Sequence, residues 1–369
     1  MKPSAPGPAF FIQFVGNDGT VIEGPIEHAT PLGVEDLRRL KADPPQERLS
    51  IELLSRQFTR NGEPLVGLQK MHMKDIEFHK SASAFALVPG GWLPPPFVTR
   101  AMFQIDSNVL ITLERIQEGT QAPHFSGREW WLRFLAGEST VFNPLPYAME
   151  GIGRQTPTLG EFQRLYKEGA SRLAASFPKC TVVAHNDPSL AGAYQLLEDL
   201  APRAQHEIAF LKEVGPLVRT TLRKGEQMKL AERICAIADR TGAMRSSLAC
   251  VCALACVFTS KSGTPPNIGR RILKPSLTYT EQDAYNALSD LRHVELATAG
   301  IVAFGEHTFV MLTHDYWLAL LWSALNPRGQ YDERGTLTVQ FDLNQHLFQS
   351  LDEAELGDLT ALMKSGTSI

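Results

Sequence analysis

Apolar and polar residues alternate at two periods along this chain, and the changes of period mark its parts. PAFFIQFVGNDGTVIEGPIE alternates on both sides of Asn17-Asp18-Gly19, which predicts two short strands around a turn. A short polar helix is expected over residues 33–41, with mixed structure to about Leu87. VPGGWLPPPF, residues 88–97, is too rich in Gly and Pro for a regular element and reads as a boundary, with the linker extending to position 100. AMFQID then predicts a buried strand, and SNVLITLERIQ continues at helical spacing. A second helix is expected around residues 129–136. Residues 159–244 read as largely helical, with breaks at Pro178, Asn186-Asp187-Pro188 and Gly215-Pro216.

An apolar cysteine-containing helix follows, then the loop SKSGTPPNIGRRILKPS and a helix over about residues 281–298. IVAF and FVMLT read as strands flanking GEHT, and a helix covers 315–325. The tail supplies one strand, TLTVQFDL, and one helix, DEAELGDLTALM. Strands alternating with helices predict an α/β fold with a central, mainly parallel sheet flanked by helices. The expected organisation is a small α+β amino-terminal module (1–87), the linker (88–100), a main domain (101–330) with a long helical insertion (about 159–275), and a carboxyl-terminal strand and helix (331–369).

Composition adds little except in two places. Residues 201–275 hold 13 Lys and Arg against 5 Asp and Glu, although the whole chain has 36 basic and 40 acidic residues. A basic stretch in an otherwise acidic chain is either a track for a polyanion or a solvated helical surface. Five cysteines (Cys180, Cys235, Cys250, Cys252 and Cys256) are too few and too uneven for a disulfide framework, and no partner pair makes Cys252 and Cys256 a zinc site. They read as small apolar residues of a core helix too short to span a bilayer. The amino terminus has no secretory pattern, so a reducing cytoplasm and no membrane association are expected.

Three places could carry chemistry. Asp106 ends a strand and starts a helix, where ligands of α/β sheets collect, although Asp also caps helices well. On the 281–298 helix, Ala284, Ala287, Leu288, Leu291 and Val294 form the apolar stripe, with Asp283, Asn286 and Asp290 on its flank. At Thr313-His314-Asp315 a second strand passes into a helix, again with capping as the alternative. No Walker-type loop, complete dinucleotide fingerprint (position 156 is Thr) or G-x-S-x-G elbow is present. Position 108, where a haloacid-type phosphotransferase would carry a second Asp, is Asn.

IDSNVL, NALSDLRH and LTHD resemble the first, third and fourth acidic stations of PIN-like nucleases, in order, over about residues 101–325. The middle is longer than in a minimal domain of that type. For the second station Glu150 in NPLPYAMEG matches best, with Glu161 and Glu129 as competitors. The resemblance implies a metal-dependent nuclease acting on RNA rather than DNA, of a toxin-like or defence type. It implies Asp106, Glu150, Asp290 and Asp315 as ligands of Mg²⁺ or Mn²⁺, with Asn108 and Thr313 orienting water or carboxylates. Oxygen donors suit these hard cations, and crowded carboxylates need a cation or shared protons.

Arg223, Lys224, Arg270, Arg271 and Lys274 would then hold the nucleic-acid backbone. His293 and His314 could contact phosphate, with surface or capping roles as the favoured reading, and Trp130, Trp131 and Trp317 read as core or interface. The alternative is an inactive PIN-like scaffold that binds RNA or a partner protein; a regulatory partner or a second copy of the chain fits either reading.

Overall fold

Residues 11–16, 18–40, 42, 48–77, 84–98, 101–117, 140–151, 156–260, 266–304, 309–331 and 337–365 are described by a computed structural model. β1 (Phe11–Val15) and β2 (Val21–Pro25) form the expected antiparallel hairpin. They are followed by β3 (His28–Ala29), α1 (Val34–Leu40), β4 (Arg48–Ser55), β5 (Thr59–Arg60), β6 (Glu63–Pro64) and β7 (Gln69–Glu77). These strands make two antiparallel sheets, β1-β2-β5-β6 and β3-β4-β7. Along β4, Leu49, Ile51 and Leu53 are buried between more exposed neighbours, as a sheet with one covered face requires.

The central sheet begins earlier than expected. β8 (Phe85–Val88) and β9 (Gly91–Leu93) pair antiparallel and lead into a buried 3-10 turn at Pro95–Phe97. The stretch 88–97 is therefore corrected from a linker to part of this sheet. Its Gly and Pro residues serve close approach instead. A side chain at Gly91, where φ is 152°, would run into the carbonyl oxygen of Leu32, which exchanges backbone hydrogen bonds with Trp92. The Trp92 ring N–H donates to the Gly33 carbonyl at 3.3 Å, tying the amino-terminal segment to the sheet.

β10 (Met102–Ile105) and α2 (Ser107–Gln117) match the expected strand and helix. The helix expected at 129–136 lies outside the described residues. β11 (Val141–Asn143), α3 (Leu145–Glu150), α4 (Leu159–Ser176) and a two-residue strand, β12 (Thr181–Val182), come next. β12 interrupts the region read as helical. It is short, and its pairing with β11 supplies what local pattern lacks. The insertion continues through α5 (Asp187–Val214), α6 (Lys224–Thr241), the wholly buried α7 (Leu248–Val257) and α8 (Ile268–Leu273).

α8 lies in the segment read as a loop, started by Asn267, whose side chain accepts from the Arg270 N–H. All five cysteines are free. Among the described residues no helix is long and apolar enough to cross a membrane.

α9 (Glu281–Phe304) runs through IVAF, which is helix and not strand. Val294, Ala297, Thr298 and Gly300 stay buried at helical spacing and carry the helix onward over the sheet. β13 (Phe309–Thr313) is buried at every position, and α10 (Tyr316–Leu325) follows it. β14 (Arg328–Tyr331), β15 (Leu337–Gln340) and α11 (Glu353–Lys364) finish the chain, the two strands forming a separate antiparallel pair.

The central sheet has six strands in the order β12-β11-β10-β13-β8-β9. β12, β11, β10 and β13 are parallel, and β8 is antiparallel to β13. From β10 the chain moves outward to β11 and β12, then returns to put β13 on the other side. The order therefore reverses between β10 and β13, the position where open α/β sheets leave a crevice beyond their carboxyl ends. The fold is mixed α/β with a mostly parallel central sheet, as the alternation of elements predicts.

α7 and α8 approach so closely that a Cβ on Gly269 would overlap the carbonyl oxygen of Cys252. Backbone cannot yield as a side-chain tip can, so Gly269→Ala should destabilise the protein by about 1–3 kcal/mol in a denaturant titration.

Candidate functional site

Asp106 stands one residue beyond β10 and is 1% exposed. One oxygen accepts the Val109 N–H at 2.7 Å and so caps α2, the local role the sequence allowed. The other accepts from the Thr313 hydroxyl at 2.7 Å, across the β10–β13 boundary. Thr313 also accepts the Asp315 N–H at 3.0 Å. Asp315 in turn caps α10, taking the Trp317 and Leu318 N–H groups at 2.7 and 3.1 Å. Both aspartates are thus helix caps and both sit at the switch point of the sheet.

Glu150 ends α3, where the helix dipole disfavours a carboxylate. Two side chains offset this. The Ser107 hydroxyl donates to one of its oxygens, and His293 Nε2 lies 3.2 Å from the other. The Tyr285 hydroxyl donates to the Glu150 carbonyl at 3.4 Å. Tyr285, Asp290 and His293 all come from α9, which therefore grips the end of α3 and brings its own aspartate to the same place.

The electrostatics report how closely these groups are packed. Burial, then the charge of Glu150, raises the Asp106 carboxyl to about 7. Burial, then the charge of Asp315, raises Asp290 to about 6, with His293 and Lys274 pulling the other way. Burial also pushes Glu150 up, but hydrogen bonds from His293 and Ser107 and the attraction of His293 outweigh it and leave this carboxyl below its usual range. Burial disfavours the His293 imidazolium, yet the hydrogen bond and charge of Glu150, then Asp106 and Asp290, hold it up at about 9.

The four acidic candidates are therefore linked in series, Glu150 acting on Asp106 and on Asp290, and Asp315 acting on Asp290, and Thr313 joins the Asp106 side chain to the Asp315 N–H. The other expected site residues are placed differently. Asn108 is exposed on the first turn of α2, and the contact to a site carboxylate is made by its neighbour Ser107. Glu161 closes a capping box with Thr158 at the start of α4, and Glu129 lies outside the described residues. Asp283 accepts from the Thr280 hydroxyl and N–H at the start of α9, away from Asp290's role.

His293 is corrected from a surface or capping residue to a buried member of the cluster, 6% exposed. Its spacing from Asp290, three residues on one helix face, was the only signal in the sequence. Ser107 had none, because its partner is 43 residues away.

Several members of the basic stretch are engaged in internal contacts. Arg203 pairs with Glu207 and Glu295, Arg240 with Glu213, and Arg245 with Asp239. Lys224 pairs with Glu355 at 2.9 Å, and Arg270 donates to the carbonyls of Cys256 and Arg219. Arg223 is exposed at the start of α6. Of the five basic residues expected to hold nucleic acid, Lys274 acts on a site carboxylate and Arg271 lies against α10. The Arg271 guanidinium lies 5.1 Å from the centre of the Trp317 ring, and Lys274 acts on Asp290. A cavity of about 310 Å³ elsewhere is lined by Glu27, Thr30, Leu54, Leu93 and Phe97, and none of the four acids borders it.

The donor chemistry fits a hard divalent cation, since all four acids offer oxygen and two of them, Asp106 and Asp290, bind protons tightly because burial and then a neighbouring carboxylate disfavour their charged form. Among the described residues no group of three or more His, Cys, Asp or Glu side chains is arranged to hold an ion. A magnesium-type ion does not require such a cage, because it keeps several waters and uses one or two carboxylates together with substrate phosphate. We find no protein-family model, no curated protein and no solved structure that matches this chain.

Asp106 binds its proton more tightly folded than unfolded, so between its ordinary pKa of 3.8 and about 7 the folded state holds the extra proton. Stability is lost as pH rises through that interval, where a buried charge must form. Metal-free Asp106→Asn should therefore melt above wild type at pH 8, and the difference should shrink toward pH 5 in thermal scans followed by circular dichroism.

Proposed function

We propose that this chain is a metal-dependent nuclease with a PIN-like domain, hydrolysing phosphodiester bonds in RNA. The observation that carries the reading is the arrangement at the switch point. Asp106 and Asp315 follow adjacent parallel strands, and Glu150 and Asp290 are drawn to them from two separate helices. Four carboxylates from distant segments, collected at the sheet's ligand-binding edge, are costly to fold unless they serve a cation. Asp106, Glu150, Asp290 and Asp315 would hold Mg²⁺ or Mn²⁺. Bound there, the ion supplies a water of lowered pKa and charge to offset that of the scissile phosphate.

The chain's own groups do the rest. Asp290 is partly exposed, which leaves its carboxylate able to face a bound ion from the solvent side. Thr313 keeps Asp106 and the start of α10 in register. Lys274, which acts on Asp290, and Arg271, against Trp317 of α10, would supply positive charge to an RNA backbone brought to these acids. The preference for RNA over DNA rests on the resemblance to PIN-like nucleases. A second reading, a PIN-like scaffold that binds RNA or a partner protein without cutting, draws on the hydrogen bonds already engaging the oxygens of Asp106 and Glu150.

Labelled RNA and DNA incubated with Mn²⁺ or Mg²⁺ separate these readings. Wild type should cut RNA only with metal, and Asp106→Asn should lose at least about a hundredfold in rate while remaining folded. Binding without any cleavage would favour the scaffold. In filter binding, the double variant Arg271→Ala/Lys274→Ala should weaken RNA affinity. The slope of log affinity against log salt should fall by up to about 2, roughly one for each phosphate that these side chains neutralise.

A further inference from the structure

Glu150 is held from three directions, and the holders come from elements the sequence does not connect. Ser107 in the first turn of α2 donates to one carboxylate oxygen, and His293 Nε2 is 3.2 Å from the other. The Tyr285 hydroxyl reaches the backbone carbonyl of the same residue. With an atom on each oxygen, the carboxylate plane cannot rotate freely. His293 is itself immobile, with its side chain 8% exposed and one helical turn from Asp290. A glutamate has three side-chain torsions, and at the carboxyl end of a six-residue helix nothing local restrains them. Restraint has to come from outside, and α9 provides it while delivering Asp290.

We propose that His293 is a positioning residue that, together with Ser107, fixes the Glu150 carboxylate in the orientation needed to receive the divalent cation. This rests on the metal-dependent reading above. Groups that hold a ligating carboxylate in this way commonly account for 10- to 100-fold in metal affinity. A role in packing alone would leave metal affinity unchanged when the imidazole is removed. A positive imidazole that merely repelled the ion would make metal binding tighter on removal.

The test uses the full chain without substrate. Mn²⁺ binding is measured from the electron paramagnetic resonance signal of the free ion, for wild type, Ser107→Ala, His293→Gln and His293→Leu. Each variant's melting curve serves as the folding control. His293→Gln keeps an N–H able to reach Glu150 and should stay within about threefold of wild type, whereas His293→Leu and Ser107→Ala should each weaken Mn²⁺ binding by about tenfold or more.

If His293→Leu does not fold, His293→Asn, which is too short to reach Glu150, takes its place with the same expectation. Unaltered Mn²⁺ affinity in folded His293→Leu or His293→Asn would overturn the proposal in favour of packing, and tighter binding in either would overturn it in favour of a competing charge. A wild-type chain that binds no Mn²⁺ overturns the metal-dependent reading itself, a different result from wild-type binding that the variants leave untouched.

Discussion

Parallel pairing of β10 with β13 is the constraint on which the rest of the molecule depends. Ile105 lies beside Leu312, so the next residues, Asp106 and Thr313, meet in a hydrogen bond that spans 207 positions of chain. Parallel neighbours cannot be joined by a tight turn; they need a crossover. Here everything from α2 to α9 lies in that crossover, including the other two strands of the parallel set. The insertion is therefore bounded at both ends by one strand pair, and α9, which closes it, enters with a fixed position over the sheet. That position brings Tyr285, Asp290 and His293 to the end of α3.

Charge burial sets the second constraint. Asp106 and His293 are almost fully enclosed, and neither would be tolerated alone. Asp106 is met by a backbone N–H and a hydroxyl, and Glu150 by a hydroxyl and an imidazole. These contacts leave a cluster that is satisfied geometrically but overloaded with negative charge, visible in the raised values of Asp106 and Asp290. Breaking one member of such a network costs more than the bond itself, because its partners stay buried without compensation.

The amino-terminal segment is joined to this framework rather than tethered to it. Leu32 pairs with Trp92 of β9, the Tyr316 hydroxyl donates to the Leu37 carbonyl, and the Trp322 ring N–H reaches the Val88 carbonyl. α10 thus touches both units, and it is the helix capped by Asp315. The helix capped by one site carboxylate therefore also contacts the amino-terminal segment at Leu37.

The sequence by itself determined most of the elements and the acidic positions at the site. Near-continuous apolar runs marked β10 and β13, helical spacing marked α2, α9 and α10, and Asp at two strand-to-helix junctions marked the sheet edge. Those signals are legible because burial and capping act over a few residues. Only the tertiary structure decided that Glu150 rather than Glu161 joins the cluster, that Ser107 and not Asn108 touches it, and that His293 is enclosed by it. The same holds for β12, whose two residues form a strand only because β11 lies alongside, for residues 88–97, where Gly91 lies against the Leu32 carbonyl, and for IVAF, which continues a helix whose Gly300 lies against the Phe309 ring. The basic stretch looked like a track because charge along a chain says nothing of partners across space, and Arg203, Lys224, Arg240 and Arg245 are paired with Glu207, Glu213, Asp239, Glu295 and Glu355. Each of these outcomes turns on a contact between residues far apart in the chain, which no local pattern records.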